Sequence, residues 1–218
     1  MGAQRYSLVG LYKVTWEGGM EQLLSLDTIV VQQQKEMMEI LTSFETRNRY
    51  KVMASEGQEL FFAYEVADSW FLRHFLKAMR PFKMDVVDQL KQPVLHLERP
   101  FTFIFHKIEV YDKNRVKLGY VRKRFSLIRR IYTVYDEADN EILELMGPIL
   151  KPWTLIIQQQ GAEIGRLVKR WSGLLKEAVS DADNFTLNFP MSLEVKHKAI
   201  LLAAVFLIDF VQFEDRSR

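Results

Sequence analysis

Val195–Glu214 reads VKHKAILLAAVFLIDFVQFE, and ten consecutive residues within it, Ala199 to Ile208, carry no polar side chain. A helix crossing a bilayer core needs roughly 20 mostly apolar residues, whereas a run of about 10 to 14 marks a helix buried in protein. This run is short, and Asp209 interrupts it before Phe210, Val211 and Phe213. A helix that is apolar all round must still be enclosed by something apolar. The reading of Ile200, Leu201, Val205, Phe206 and Ile208 as core residues therefore depends on whether the rest of the chain can build a sleeve around them.

Working back from the helix, the chain repeats one pattern: a run of β-type residues, a polar turn and a second run. Arg49–Met53 turns at Glu56-Gly57-Gln58 into Leu60–Tyr64, and Phe82–Val87 turns around Gln89–Gln92 into Val94–Leu97. Lys107–Tyr111 turns at Lys113-Asn114 into Lys117–Val121, and Ile131–Tyr135 turns at Glu137–Asn140 into Ile142–Leu145. Trp153–Ile157 turns at Gln160-Gly161 into Ile164–Val168. Thr28–Val31 reads as an earlier strand, and Gln32–Thr42 reads as a strand or a short helix. Together these make about a dozen strands, more than an open sheet readily keeps, and closure removes the edges. A barrel of that size is too wide for its own side chains to fill. The expectation is a mainly β fold: a closed antiparallel barrel of about twelve strands wrapped around the buried C-terminal helix at about residues 193–213, with 1–20 as a lead-in and 21–218 as a single domain.

With 48% hydrophobic and 27% charged residues, the composition excludes disordered and fibrous classes. The absence of cysteine removes disulfides, thiolate metal sites, cysteine nucleophiles and S-acylation. MGAQRYS carries no secretory pattern, and Tyr6 stands where a myristoylation signal wants Ser or Thr, so an intracellular protein is expected. The histidines, His74, His96, His106 and His197, show no metal-ligand spacing, and no G-x-S-x-G, Gly-rich phosphate loop or H-E-x-x-H occurs. Conventional hydrolase or transferase chemistry and a small-molecule substrate are therefore not expected.

Charge is placed unevenly. Between Lys107 and Arg130, nine Lys/Arg face only Glu109 and Asp112, a local balance of +7 in a chain of net +2. Such a segment either attracts an anionic surface or is a set of solvated strand faces. Its clustered cations are Arg122, Lys123, Arg124, Arg129 and Arg130. Asp68–Phe82, DSWFLRHFLKAMRPF, sets Trp70, Phe71, Leu72, Phe75, Leu76 and Met79 at helical spacing against Arg73, His74, Lys77 and Arg80. That is the composition of an interfacial membrane segment, or of a helix whose apolar side packs on the barrel's end. From Asp181 the chain begins like a calcium loop, whose ligand positions would fall on Asp181, Asp183, Phe185, Leu187, Phe189 and Ser192. Thr186 stands at the position of the usual Gly and Ser192 at that of the closing carboxylate. The alternative is an Asx-stabilised turn with Ser192 as N-cap of the last helix.

Asp181-Ala-Asp-Asn-Phe185, Phe189-Pro190, Leu193-Glu-Val-Lys196 and Phe206-Leu-Ile-Asp-Phe210 resemble the C-terminal signature of the phospholipid scramblases. The resemblance continues upstream through Leu41–Thr46, Asn48–Tyr50, Arg80–Phe82, Leu97–Pro100, Gly119–Val121 and Trp171–Leu174. That family is similar to the tubby C-terminal domain, which implies a twelve-stranded barrel around a hydrophobic helix. The resemblance also implies calcium-dependent, ATP-independent movement of phospholipids between leaflets, calcium held in the acidic loop, and attachment to the inner plasma membrane. Family members carry acylated cysteine clusters where this chain has Trp70, Phe71, Leu72, Phe75, Phe103 and Phe105, so here membrane contact would fall to aromatic side chains. The family's twelfth loop residue is an aspartate in place of Ser192. Gly165–Gly173, GRLVKRWSG, resembles the family's nuclear-import segment, with Arg166, Lys169 and Arg170 as its cations. The expected partners are anionic phospholipid membranes at the cytoplasmic face, and proteins, with a nuclear location a further option. Two alternatives stay open: a module that binds anionic lipid or phosphoinositide and moves nothing, and a scaffold with a nuclear role and nucleic-acid contacts.

Overall fold

The computed structural model describes residues 19–34, 48–66, 81–102, 105–148, 150–151, 153–170 and 184–212. Twelve antiparallel strands close into a barrel in the order β1-β12-β11-β10-β9-β8-β7-β6-β5-β4-β3-β2. They are β1 (Thr28–Gln33), β2 (Arg49–Ala54), β3 (Glu59–Val66), β4 (Phe82–Val87), β5 (Pro93–Arg99), β6 (Lys107–Asp112), β7 (Lys117–Arg124), β8 (Arg130–Asp136), β9 (Glu141–Gly147), β10 (Thr154–Gln159), β11 (Ala162–Arg170) and β12 (Asn184–Asn188). One α-helix, α1 (Val195–Gln212), follows them. Every strand expected from the hairpin pattern is present, with ends shifted by a few residues. The strand that the pattern did not foresee is β12, which lies in the stretch read as a calcium loop or turn. Its Phe185 and Leu187 face inward and its backbone pairs with β1 and β11, so this strand closes the barrel.

Strand periodicity makes the lumen apolar. Because side chains alternate across a strand, Ile29 and Val31, Ile108 and Val110, Leu155 and Ile157, and Phe185 and Leu187 point together into the interior. There they meet α1, on which every residue from Ala199 to Ile208 is buried. Ile200, Leu201, Val205, Phe206 and Ile208 are thus core residues, as expected. The helix is in close contact with β6, β7 and β8. At Gly119 of β7, an added Cβ would lie 2.2 Å from the Tyr135 carbonyl oxygen and 2.8 Å from Ile200 Cδ1, on a backbone at φ +154°. Gly119→Ala should therefore push the wall away from the helix and destabilise the fold by about 1–3 kcal/mol, as overpacking does. Urea denaturation checks this, and an unchanged midpoint would mean that the wall yields without cost.

Three of the tight turns share one device at 24-residue intervals in the sequence. Asp88, Asp112 and Asp136 each accept, on Oδ1, the backbone N–H groups two and four residues ahead, at 2.8–2.9 Å. Lys91, Arg115 and Asp139, three residues beyond each, take positive φ of 63–66°. The aspartate holds the turn while the left-handed residue returns the chain to the next strand.

Strand direction then sorts the connections. The turns 55–58, 88–92, 113–116, 137–140 and 160–161 all lie at one end of the barrel. All the connections following odd-numbered strands before β12, several of them long, leave from the other end, called here the loop end. The helix enters at the turn end, where Lys198 Nζ donates to the carbonyls of Leu23, Leu26 and Met191 at 2.8, 2.8 and 2.9 Å. Burial pushes that ammonium's pKa down, with Asp27 opposing. Ser192 is exposed in the preceding turn, and the helix begins only at Val195, so Ser192 is not its N-cap. At the loop end, Phe210 packs on Phe82 with ring centroids 4.9 Å apart, and the Arg99 guanidinium lies 4.3 Å from the Phe210 centroid. No helix among the described residues is long and apolar enough to cross a membrane, which leaves open what strands could do.

Candidate membrane-facing site

The basic segment is divided along the barrel. Lys107 and Lys117 sit on the outer wall, where Glu109 accepts from Lys107 at 2.8 Å and lies 3.8 Å from Lys117. Burial raises the Glu109 pKa, but hydrogen bonds from Lys107 and Tyr111 and the two lysine charges bring it below its usual value. Lys107 also covers the Tyr120 ring at 4.0 Å, and Tyr120 stacks on Tyr135 at 4.6 Å. Arg115, at the turn end, pairs with Glu98 at 2.9 Å. Lys113 stands in the same turn as Arg115, while Arg122, Lys123, Arg124, Arg129 and Arg130 gather at the loop end as β7 runs out and β8 begins, with Lys107 opposite Arg122 at the start of β6.

Between them, residues 125–129 connect the two strands, and their apolar members face solvent. Phe125 is 70% exposed, Leu127 88% and Ile128 72%. Arg129 N–H donates to Ser126 Oγ at 3.1 Å, which tightens the loop beneath its tip. Arg122 leans over the Phe105 ring at 5.8 Å, and the Lys123 N–H donates to the His106 carbonyl at 2.8 Å, tying the neighbouring connection to β7. Desolvation and the charge of Arg130 lower the Lys123 pKa. Arg124 approaches Glu144 only to 3.8 Å at an exposed site, a pair of small energetic weight. Leu150, on the β9–β10 connection, is 92% exposed at the same end. Seven of the eleven exposed large hydrophobics among the described residues lie at the loop end: Val66, Phe101, Phe105, Phe125, Leu127, Ile128 and Leu150. An apolar tip within a cationic collar can bury side chains among acyl chains while its charges meet anionic headgroups.

Trp70, Phe71, Leu72, Arg73, Phe75 and Lys77 lie outside the described residues, but Val66 and Phe82, which bracket them, stand at the loop end. Phe125, Leu127 and Ile128 were absent from the sequence-based selection, although the signal was there. Phe125-Ser-Leu-Ile128 puts apolar residues where a hairpin connection is usually polar, between Arg122-Lys-Arg124 and Arg129-Arg130.

The calcium loop does not form in its twelve-residue arrangement. Phe185 and Leu187 are strand residues with side chains in the core, and Phe189 is buried and donates its N–H to the Asp27 carbonyl at 2.9 Å. Strand β12 carries the chain from the loop end to the turn end, so Ser192 is separated from residue 184 by a strand of five residues, roughly 16 Å. Among the described residues of the expected donor set, Phe185, Leu187, Phe189 and Ser192 do not converge on one ion. Asp181 and Asp183 lie outside the described residues, bracketed by Arg170 and Asn184 at the loop end. Among the described residues, no cluster of three or more His, Asp or Glu side chains could hold a metal. The import-like cations also separate. Arg166 is exposed and pairs with Glu163, and Arg170 is exposed, but Lys169 points inward to Asp209 and is not a solvated cation.

The sequence profile of the Scramblase family matches residues 7–215. Phospholipid scramblase 1 of Mus musculus is 36% identical over 210 residues, covering 90% of this chain and 64% of that protein. The Homo sapiens protein of that name is 34% identical over 90% of this chain and 66% of its own length. Phospholipid scramblase 2 of Bos taurus is 34% identical over 90% of this chain and 71% of its length. This chain thus spans just under two thirds of the length of phospholipid scramblase 1. Among solved structures, the X-ray structure of a protein from Arabidopsis thaliana aligns over 89% of this chain and 95% of its own, at 12% identity and a TM-score of 0.48. A barrel sequence matched almost from end to end by one family's profile, with relatives above 30% identity over nine tenths of its length, belongs to the Scramblase family.

Proposed function

We propose that this chain docks on anionic phospholipid membranes through its loop end and moves phospholipid between leaflets, the activity for which its relatives are named. The observation that carries the reading is the exposed Phe125-Leu127-Ile128 tip inside the collar of Arg122, Lys123, Arg124, Arg129 and Arg130. The Trp70–Met79 segment adds to it, since its bracketing strands end at the same face. Calcium dependence and a place at the cytoplasmic face of the plasma membrane belong to the same proposal, and Asp181 and Asp183 are the candidate ligands. Because the donors on β12 do not fit, no step of the movement is assigned to the ion.

A second reading has its own observation. The helix α1 occupies the lumen and its residues Ala199–Ile208 are buried, so no lipid path runs through the barrel. On that reading the chain binds anionic lipid and moves nothing.

One experiment separates the two. Purified protein is reconstituted with fluorescent phospholipid in vesicles, with and without calcium, and both flotation and leaflet exchange are measured. Flotation with exchange above protein-free vesicles is the expected result. Flotation without exchange in either condition leaves only the binding module. Phe125→Asp/Leu127→Asp/Ile128→Asp should reduce flotation roughly a hundredfold or more, because burying each such side chain is worth about 1.5–3 kcal/mol. Undiminished flotation of that folded variant would remove the loop from the contact.

A further inference from the structure

Beside the loop tip, on the outer wall formed by β9, β10 and β11, lies a groove of about 480 Å³. Its floor is apolar, made by Met146 and Ile156, the exposed Leu150 stands at its edge, and its rim carries Arg129, Lys151 and Arg166. No carboxylate lines it. Arg129 Nη1 lies 3.3 Å from Met146 Sδ, which holds the guanidinium over the floor. Arg130 Nη2 donates to the Lys151 carbonyl at 3.2 Å and so fixes the backbone from which Lys151 projects. Arg166 lines the groove from β11 while its Nε pairs with Glu163. Ile156 and Arg166 are direct cross-strand partners, so floor and rim are held in register by the β10–β11 ladder.

We infer that this groove holds one anionic phospholipid monomer, with its phosphate on Arg129, Lys151 and Arg166 and its glycerol and first chain methylenes on Met146, Leu150 and Ile156. Three cations, of which Arg166 is paired with a carboxylate, Glu163, select an anion, and guanidinium groups suit phosphate oxygens in particular. An apolar floor adds nothing to the binding of a bare phosphate, so the occupant must carry a hydrocarbon part. The volume lies within the range of small-molecule sites. Continuity with the Leu127-Ile128 tip places the groove where a lipid leaving the headgroup layer would meet the wall. The inference rests on the proposed docking of the loop end on anionic membranes and adds to it a seat for a single lipid.

The test uses the whole chain and dihexanoyl phosphatidic acid below its micelle concentration, with inorganic phosphate and dihexanoyl phosphatidylcholine alongside, by titration calorimetry. Binding of the acid at one per chain is expected, with inorganic phosphate and the zwitterionic lipid at least ten times weaker. Arg129→Glu/Lys151→Glu, both at exposed positions, should weaken the acid at least tenfold, and the milder Arg129→Gln/Lys151→Gln should do so in part. Leu150→Asp/Ile156→Asp should weaken the lipid and leave inorganic phosphate unchanged. Equal affinity for inorganic phosphate and the acid, or affinity for the acid untouched by the charge reversals in protein with an unchanged melting temperature, would overturn the inference. If the wild-type chain floats on anionic vesicles but does not bind the soluble acid, the groove fails alone. If it does neither, the docking reading fails with it.

Discussion

Ala203→Arg should leave the protein insoluble or unfolded. Ala203 is fully buried on α1 among side chains from the barrel wall, and Ala199 and Ala204 on the same helix are equally enclosed. An arginine there would have to be taken out of water into the apolar lumen. The effective penalty for a buried unpaired ion is several kcal/mol, and overpacking adds about 1–3 kcal/mol more. A domain with a total stability of about 5–15 kcal/mol does not readily absorb that sum. The soluble fraction after expression and the far-ultraviolet circular dichroism of that fraction give the answer. A soluble variant with the native spectrum would show that α1 lies outside the barrel in solution, and the closed lumen would have to be abandoned.

Asp209→Leu should cost about 3–5 kcal/mol, the usual consequence of removing one partner from a buried pair. Asp209 is the carboxylate that interrupts the apolar run. It accepts from Tyr50 Oη at 2.7 Å and from Lys169 Nζ at 3.2 Å, with both charged side chains 2% exposed. The substitution would remove this carboxylate from the Lys169 ammonium inside the barrel and from the Tyr50 hydroxyl. Asp209→Leu/Lys169→Met should recover much of the loss, since replacing both members of a buried pair by apolar residues is often neutral. A double-mutant cycle in urea measures both quantities. A single variant within 1 kcal/mol of the native protein, or a double variant no better than the single, would show that the pair does not tie helix to wall.

These two positions also separate what could be read directly from what could not. The shortness of the Ala199–Ile208 run and the hairpin alternation were enough to place an apolar helix inside a barrel of about twelve strands, because both periodicities are local properties of the chain. The recurring Asp88, Asp112 and Asp136 turns are equally local, since each side chain bonds to backbone within four residues. The site was less legible. Asn184–Asn188 presents only five residues between a polar stretch and a proline, so its identity as the closing strand depends on pairing with β1, more than 150 residues away. Lys169 reads as one more cation of a basic run, and only the distant Asp209 and Tyr50 turn it inward.

The candidate lipid-facing surface combines both kinds of information. The clustered cations from Arg122 to Arg130 are visible in the chain, but nothing local says that Lys107 and Lys117 are answered by Glu109 on the wall while the arginines collect at one end. Nor does it say that Phe105, Phe125, Leu127, Ile128 and Leu150 share that end. By itself the sequence determined eleven of the twelve strands, the apolar core helix and the sign of the charged region, because hydropathy period and net charge are sums over neighbouring residues. Only the tertiary structure decided which end of the barrel carries the exposed apolar tip, which lysine is buried, and that β12 separates Asn184 from Ser192, because those follow from strand direction and closure, which bring together or part residues far from one another along the chain.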